Sequence, residues 1–248
     1  MEMQPYNAGL RLRRVFERLR LQRAKTLQQA WMGVFGFEDI ANYAENAELY
    51  ELLGAIYRQL IKAEEAVLLV DGVLREDVDA LFKGLYRLVA PKHINDTWAS
   101  SMNTLLGGDR RLLLALMPAL VADREQEVAV DDLEYLEGLL GEILAARESG
   151  ALSTAAVNLL SLVASVLASA LRLYPIEGAD AFRKGYANMG VQLRLNTGAL
   201  EEINQESPTT FEAVGKVYRH LKDLASFGSS VTRLADGFTK LLEEGGGG

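Results

Sequence analysis

The chain has 248 residues, of which 49% are hydrophobic and 24% are charged, and this is the composition of a folded globular protein. A formal net charge of −8 argues against nucleic acid as a partner, and the absence of cysteine excludes disulfides, thiolate metal sites and thiol catalysis. The first residues lack the charged-then-apolar layout of a signal peptide, so we expect a cytoplasmic protein.

The most informative feature near the start of the chain is a run of basic residues. Between Arg11 and Lys25 only Glu17 opposes the bases, and residues 1–37 contain 7 basic and 2 acidic groups, whereas residues 38–248 contain 19 basic and 32 acidic groups. A cationic segment on an anionic body must be matched by the body itself, by a second copy, by another protein or by an anionic surface.

The apolar spacing in this segment predicts one amphipathic helix over about 9–31. Its apolar residues fall within a stripe roughly 120° wide at 100° per residue. Four bases cluster on the other side, where we expect them to face outward and to contact a partner: Arg11, Arg14, Arg18 and Lys25.

The rest of the chain also has helical spacing, and period-two alternation is nearly absent. Helices are predicted over about 37–70, 75–90, 97–107, 110–122 (kinked or divided at Pro118), 131–148, 153–174 (ended by Pro175), one or two within 177–205, 208–227 and 231–244. We therefore expect an all-α fold of about nine or ten helices in one compact domain over 1–244, followed by a flexible glycine tail at 245–248.

The segment 153–174 is predicted to be the buried central helix of the bundle, because no charge occurs from Ser149 to Leu171. Its small and polar residues lie on one narrow face, which would let a neighbouring backbone approach closely. A bilayer span or a membrane-inserting hairpin with 112–122 as its second arm are the alternatives. Inside 133–144, Gly138 and Gly141 indicate either close packing or a poorly optimised helix.

Residue patterns that carry known chemistry are not found. The two histidines, His93 and His220, occur in no metal-ligand spacing, and no nucleophile elbow, Walker loop or dinucleotide glycine pattern is present. The acidic run 131–137 lacks the DDxxD spacing used to bind magnesium diphosphate. We therefore assign no catalytic residue, no cofactor and no metal.

Three functions remain open. The leading hypothesis is a non-enzymatic protein-protein interaction module (an adaptor, regulator or assembly subunit) that binds a protein partner or forms a homo-oligomer. A peripheral protein that binds anionic lipid through its basic helix is the second, and an all-α enzyme with a site assembled from distant helices is the third. If the basic helix is matched within the chain or in a second copy, four acidic residues form the predicted counter-surface: Asp131, Asp132, Glu134 and Glu137.

Overall fold

A computed structural model describes residues 6–38, 43–70, 74–121 and 125–226. Within these ranges the chain forms eleven α-helices and one 3₁₀ turn, and its only β-type pairing is an isolated bridge between Thr26 and Thr97. The predicted all-α class is confirmed, with one or two more helices than expected. The predicted helix 231–244 and the glycine tail lie outside the described residues.

The helices are named in chain order. They are α1 Ala8–Arg20, α2 Leu27–Phe35, α3 Tyr43–Leu68, α4 Arg75–Val89, α5 Trp98–Leu106, α6 Gly108–Leu120, α7 Val130–Glu148, α8 Thr154–Glu177, α9 Ala179–Leu195, α10 Thr197–Glu206 and α11 Pro208–Ser226. The 3₁₀ turn is Pro91–His93 and lies between α4 and α5.

The chain divides into two compact units. The first contains α1 to α6 together with the short segment Pro175–Gly178, and the second contains Gln126–Tyr174 and the described residues from Ala179 onward. The expectation of a single domain over 1–244 stays a prediction.

The predicted continuous helix over 9–31 is wrong, because the chain leaves the helix after Arg20 and starts a new one at Leu27. Thr26 is extended and its hydroxyl accepts a hydrogen bond from Gln29 N at 3.2 Å, which is an N-cap. The link is also held by backbone hydrogen bonds: Leu27 N donates to Asp96 O, and Trp98 N to Lys25 O. These long-range bonds outweigh the local helical pattern.

The core of the first unit is built around Trp31. Its ring is fully buried, and its indole N–H donates to Leu88 O at 2.7 Å, so the polar edge is satisfied inside the core. Phe16 meets this ring edge-on, with centroids 5.9 Å apart. The apolar stripe of α1 is thus buried as predicted, at Leu12, Val15, Phe16 and Leu19.

Helices α1 and α6 approach each other closely at two residues. Asn7 caps α1 through its Oδ1, which accepts from Leu10 N, while its Nδ2 donates to Pro118 O and Val121 O, each at 2.8 Å. At Gly9, a Cβ would lie 2.4 Å from Met117 O. The backbones of α1 and α6 can approach this closely because residue 9 has no side chain. Together these residues tie the start of α1 to the end of α6.

In the second unit α11 packs against α7, α9 and α10. Gly185 of α9 faces α8, where a Cβ on it would lie 3.0 Å from the Cβ of Ala170. Within α8, Leu160, Val163 and Leu167 are fully buried.

Helix α8 differs from its prediction in two ways. Its line of small and polar residues is not a packed seam, because Asn158 and Ser165 are exposed while the opposite side is buried. It also continues through Pro175 to Glu177, although proline removes one helical hydrogen bond. The added turn is held by contacts of the two residues after the proline: Ile176 O accepts from Arg11, and Glu177 accepts from Arg58 at 2.9 Å.

Among the described helices, only α8 has the length and apolarity that a membrane crossing requires. Buried core helices of soluble proteins also meet this criterion, so the finding is weak evidence for a membrane span.

The glycines of α7 are not packing sites. Among the described residues outside the backbone of α7 itself, no atom lies within 4 Å of the position that a Cβ would occupy at Gly138 or Gly141, and both glycines are exposed. Of the two interpretations left open by the sequence, close packing is wrong, and α7 is a helix that glycine weakens by about 1 kcal/mol per residue relative to alanine.

Candidate interaction surfaces

Arg11, which the sequence predicted to face outward, is buried, with 2% of its side chain exposed. Its Nη1 and Nη2 donate to the two carboxylate oxygens of Glu125 at 2.6 and 2.9 Å, and its Nε donates to Ile176 O at 3.0 Å. The outward placement is wrong because helical spacing gives the angle of a residue about the axis but not which distant segments cover that angle. Arg11 is a structural residue and is removed from the interaction set.

The other three predicted interaction residues are exposed, but they do not form one helix face. Arg14 lies over the ring of Tyr6, with its Cζ 5.7 Å from the ring centroid, and Arg18 donates to Val34 O at 2.7 Å near the end of α2. Lys25 is in the link between α1 and α2, so it is not on the helix that carries the other two. Their contact with a partner stays a prediction.

The predicted acidic counter-surface belongs to α7 of the second unit. Asp131, Glu134 and Glu137 are exposed, and Asp132 Oδ1 lies 3.3 Å from His220 Nε2 of α11. Pairing of these carboxylates with the basic residues of the first unit stays a prediction. One acidic neighbour of this run, Glu125, does take a base from the N-terminal helix, since it binds Arg11.

An apolar groove lies on the first unit between α3, α4 and α6. We call it the leucine groove, and its volume is about 460 Å³. Leu112 and Leu116 of α6 line it with 59% and 47% of their surface exposed. Its lining consists of Val67, Asp77, Val78, Ala80, Leu81, Asp109, Leu112, Leu113, Leu116 and Leu120, so two carboxylates and no base are part of it.

A smaller pocket lies between α1, α5 and α6, and we call it the arginine pocket. Its volume is about 200 Å³, and it is lined by Arg13, Phe16, Glu17, Arg20, Leu105, Arg111, Leu114 and Ala115. Both cavities are lined by residues of α6. With 100° of rotation per residue, the α6 residues of the arginine pocket and those of the leucine groove differ by about 150° in direction around the helix axis. The two cavities therefore lie on different sides of this helix.

The described ionisable groups form no constellation typical of a catalytic or metal site. No group of three or more histidine and carboxylate side chains within the described residues could hold a metal. The pKa of Tyr86 is raised well above its usual value, first by burial and then by its hydrogen bond to Glu64, and burial likewise raises the pKa of Tyr218. Both phenols therefore remain protonated at neutral pH, and Tyr86 donates to Glu64.

Sequence reasoning did not identify either cavity. One signal was available for the leucine groove: Leu112, Leu116 and Leu120 recur every four residues on a helix that also carries Leu113, Leu114 and Met117. That is more apolar surface than one buried face of an amphipathic helix needs. The arginine pocket has no such signal, because Arg111 is separated from Arg20 by 91 positions of sequence.

No protein-family model, no curated protein and no solved structure matches this chain. The leucine groove and the arginine pocket carry the proposals that follow.

Proposed function

We propose that this protein is a helical protein-protein interaction module that binds an amphipathic helix of a partner protein in the leucine groove. The observation that carries the proposal is the exposure of Leu112 and Leu116 along a concave apolar surface. A concave apolar surface with a few polar groups at its edge is the geometry used by grooves that bind helices.

The apolar area of the groove provides a driving force for binding. Complete burial of a leucine side chain contributes about 1.5–3 kcal/mol, and Leu112 and Leu116 are each about half exposed, so covering them contributes about 1 kcal/mol each. The backbone under these side chains is held by regular helices of the first unit, so little conformational ordering is required of this side.

The charge of the groove favours one kind of helix. Asp77 and Asp109 line it, and no basic residue does. Both carboxylates are exposed, so they add specificity and faster association rather than much affinity. The partner helix therefore carries an apolar stripe flanked by at least one lysine or arginine.

The length of the stripe defines the partner segment. Leu112 and Leu120 are eight residues apart, which is about 12 Å along a helix axis. Two to three turns of partner helix cover this distance, with apolar residues at i, i+4 and i+7 or i+8.

The test is a selection of displayed peptides of about 15 residues, a length at which a helix is marginal alone and gains order on binding. The full chain is the target. We expect the selected peptides to share the apolar spacing and a flanking base. Their affinity, measured by fluorescence anisotropy, should fall at least tenfold for Leu112→Ser combined with Leu116→Ser.

The matched control is Leu21→Ser, since Leu21 is 73% exposed and does not line the groove. It should leave peptide affinity unchanged, and melting curves should show that all variants fold. Selected peptides that bind the groove variant as tightly as the unchanged protein would contradict the proposal. So would self-association of the full chain that the groove variant abolishes, because the occupant would then be a second copy.

We also propose the role predicted from the sequence, that of an adaptor or assembly subunit in the cytoplasm. Arg14, Arg18 and Lys25 remain candidates for a second, charged contact with the partner, because they are exposed.

A further inference from the structure

We propose that the arginine pocket binds the phosphate group of a phosphate monoester or of inorganic phosphate. This site is separate from the leucine groove and does not depend on the function proposed for it. The proposal is based on the charges, partners and size of the pocket.

The charge of the pocket is not balanced by its own residues. Arg13 and Arg20 lie seven positions apart on α1, and Arg111 joins them from α6. Glu17 is the only acidic residue in the lining, and its Oε1 accepts from Arg13 Nε at 2.8 Å. Two positive charges are therefore left over.

The two remaining arginines of the pocket, Arg20 and Arg111, have no partner among the described residues. Over the part of the chain that the structure describes, the side chains of Arg20 and Arg111 make no hydrogen bond or ion pair. This distinguishes them from Arg11 and Arg18, whose guanidinium groups are bound to Glu125 and to Val34 O. An incoming anion thus meets two free donors and need not break an existing pair.

The charge and the volume together select the ligand. A phosphate monoester carries about −1.5 to −2 charges at neutral pH, which matches the two unbalanced arginines, whereas a carboxylate carries one charge and needs one arginine. The volume of about 200 Å³ is below the roughly 300–1,000 Å³ of pockets that enclose drug-sized molecules. The pocket therefore holds a phosphate group, with the rest of any larger molecule outside.

The floor of the pocket strengthens each charged contact. Phe16 and Leu105 are almost completely buried, with 1% and 2% of their surface exposed, and both line the pocket. Apolar atoms on one side of a guanidinium reduce the local dielectric constant and make its attraction for an anion larger than at an open surface.

The experiment is isothermal titration calorimetry of the full chain with inorganic phosphate and, separately, with O-phosphoserine at pH 7.5. We expect saturable binding of at least one of them to the unchanged protein. Replacing both free arginines, Arg20→Gln with Arg111→Gln, should weaken it at least tenfold. Binding of O-phosphoserine should also weaken at pH 5, where this ligand has lost most of its second charge, since the second pKa of a phosphate monoester is about 6.

A control with the same change in net charge distinguishes binding in the pocket from general attraction of an anion to basic residues. Arg23→Gln with Lys92→Gln removes the same two charges from exposed residues outside the pocket. This control should bind phosphate as the unchanged protein does. Equal weakening in both double variants would overturn the proposal, because surface charge alone would then explain binding.

A third variant is expected to strengthen phosphate binding, and it leaves all three arginines of the pocket in place. Glu17→Gln removes the one carboxylate of the pocket and frees Arg13, so phosphate should bind several-fold more tightly. Weaker binding by this variant would contradict the proposed geometry. Melting curves for each variant establish that the protein is folded when binding is measured.

Vesicles distinguish the two sources of the phosphate group. Phosphatidylcholine vesicles with and without phosphatidate are sedimented with the full chain. Binding of small phosphates alone indicates a soluble ligand, and binding of phosphatidate vesicles alone, lost in the Arg20 and Arg111 variant, indicates a lipid headgroup. No saturable binding of any of these probes would overturn the proposal.

Discussion

The side-chain amide of Asn7 donates to the carbonyl oxygen of Pro118, 2.8 Å away, and thereby joins the first residue before α1 to the last turn of α6. The same nitrogen also donates to Val121 O, while the side-chain oxygen caps α1. One fully buried side chain thus satisfies the ends of two helices.

Asn7→Ala should destabilise the protein by roughly 2–4 kcal/mol, because it removes a cap worth about 1 kcal/mol and leaves two buried carbonyl oxygens without a donor. Urea unfolding followed by circular dichroism measures the change. Thr26→Ala is the comparison, since Thr26 provides only a cap and should cost about 1 kcal/mol. Equal losses in the two variants would show that the bonds to α6 contribute nothing.

Gly9→Ala should destabilise the protein by roughly 1–3 kcal/mol, because the added Cβ would lie 2.4 Å from the backbone oxygen of Met117 and α1 would have to move away from α6. Gly138→Ala should have the opposite effect. In the described part of the chain no atom beyond the backbone of α7 lies within 4 Å of its Cβ position, so the variant gains about 1 kcal/mol from helix propensity. Thermal unfolding of both variants tests the pair, and a stabilised Gly9→Ala would contradict the close approach.

Arg11→Met should cost about 3–5 kcal/mol, because it leaves Glu125 without its base in a partly covered site. The double replacement Arg11→Met with Glu125→Met should cost less than the sum of the two single replacements, since neither charge is then left alone. The exposed pair Arg13 and Glu17 is the control, and its disruption should change stability by less than about 1 kcal/mol. Additive effects at Arg11 and Glu125 in urea unfolding would rule out the coupling.

Ser165→Glu should leave the free energy of unfolding within about 0.5 kcal/mol of the unchanged protein, because Ser165 faces solvent. The neighbouring Ala164→Glu should unfold or severely destabilise the protein, since only 4% of Ala164 is exposed and the new charge would have no partner. Melting temperatures of the two variants report which side of α8 is packed. A severe loss of stability in Ser165→Glu would support the original prediction that the small and polar face of α8 is packed against a neighbour.

The ionised carboxyl of Asp96 should stabilise the folded protein at neutral pH, and this stabilisation should be lost in acid. The hydrogen bond from Arg87 lowers the pKa of Asp96 below its usual value, and the charge of His93 adds to this. A carboxyl with a lowered folded-state pKa stabilises the protein above its unfolded-state pKa of about 3.9 and loses that contribution as the pH falls through the folded-state value. Asp96→Asn should therefore be less stable than the unchanged protein at pH 6.

The same difference should shrink as the pH falls through the folded-state pKa of Asp96, because the carboxyl then becomes protonated in both states. The measurement is urea unfolding of both proteins across this range, and a constant difference at all pH values would contradict the assignment.

The local features of the fold could be predicted from the sequence. The acidic first turns of α4 and α7 and the proline at the first position of α11 each act within a few residues of the helix end that they define. Helix starts and ends depend on such short-range bonds, so their positions were predicted to within a few residues in these helices.

The features that depend on distant residues could not be predicted from the sequence. Arg11 finds Glu125 at a separation of 114 positions, and no pattern in the first helix distinguishes it from Arg14. The break between α1 and α2 is fixed by hydrogen bonds to residues near Trp98, far along the chain. Both cavities arise where several helices meet, so the sequence shows only the excess of leucines on α6.

The first unit is discontinuous in sequence, and this affects when the protein can fold during synthesis. Ile176 and Glu177, which bind Arg11 and Arg58, belong to this unit although the ribosome adds them about fifty residues after Glu125. A nascent chain that has just emerged through Glu125 can form the Arg11–Glu125 pair, but it lacks Glu177, which binds Arg58, and the Ile176 carbonyl, which accepts from Arg11. The N-terminal helices therefore complete their native contacts only after residues 126–174, the first part of the second unit, have been translated.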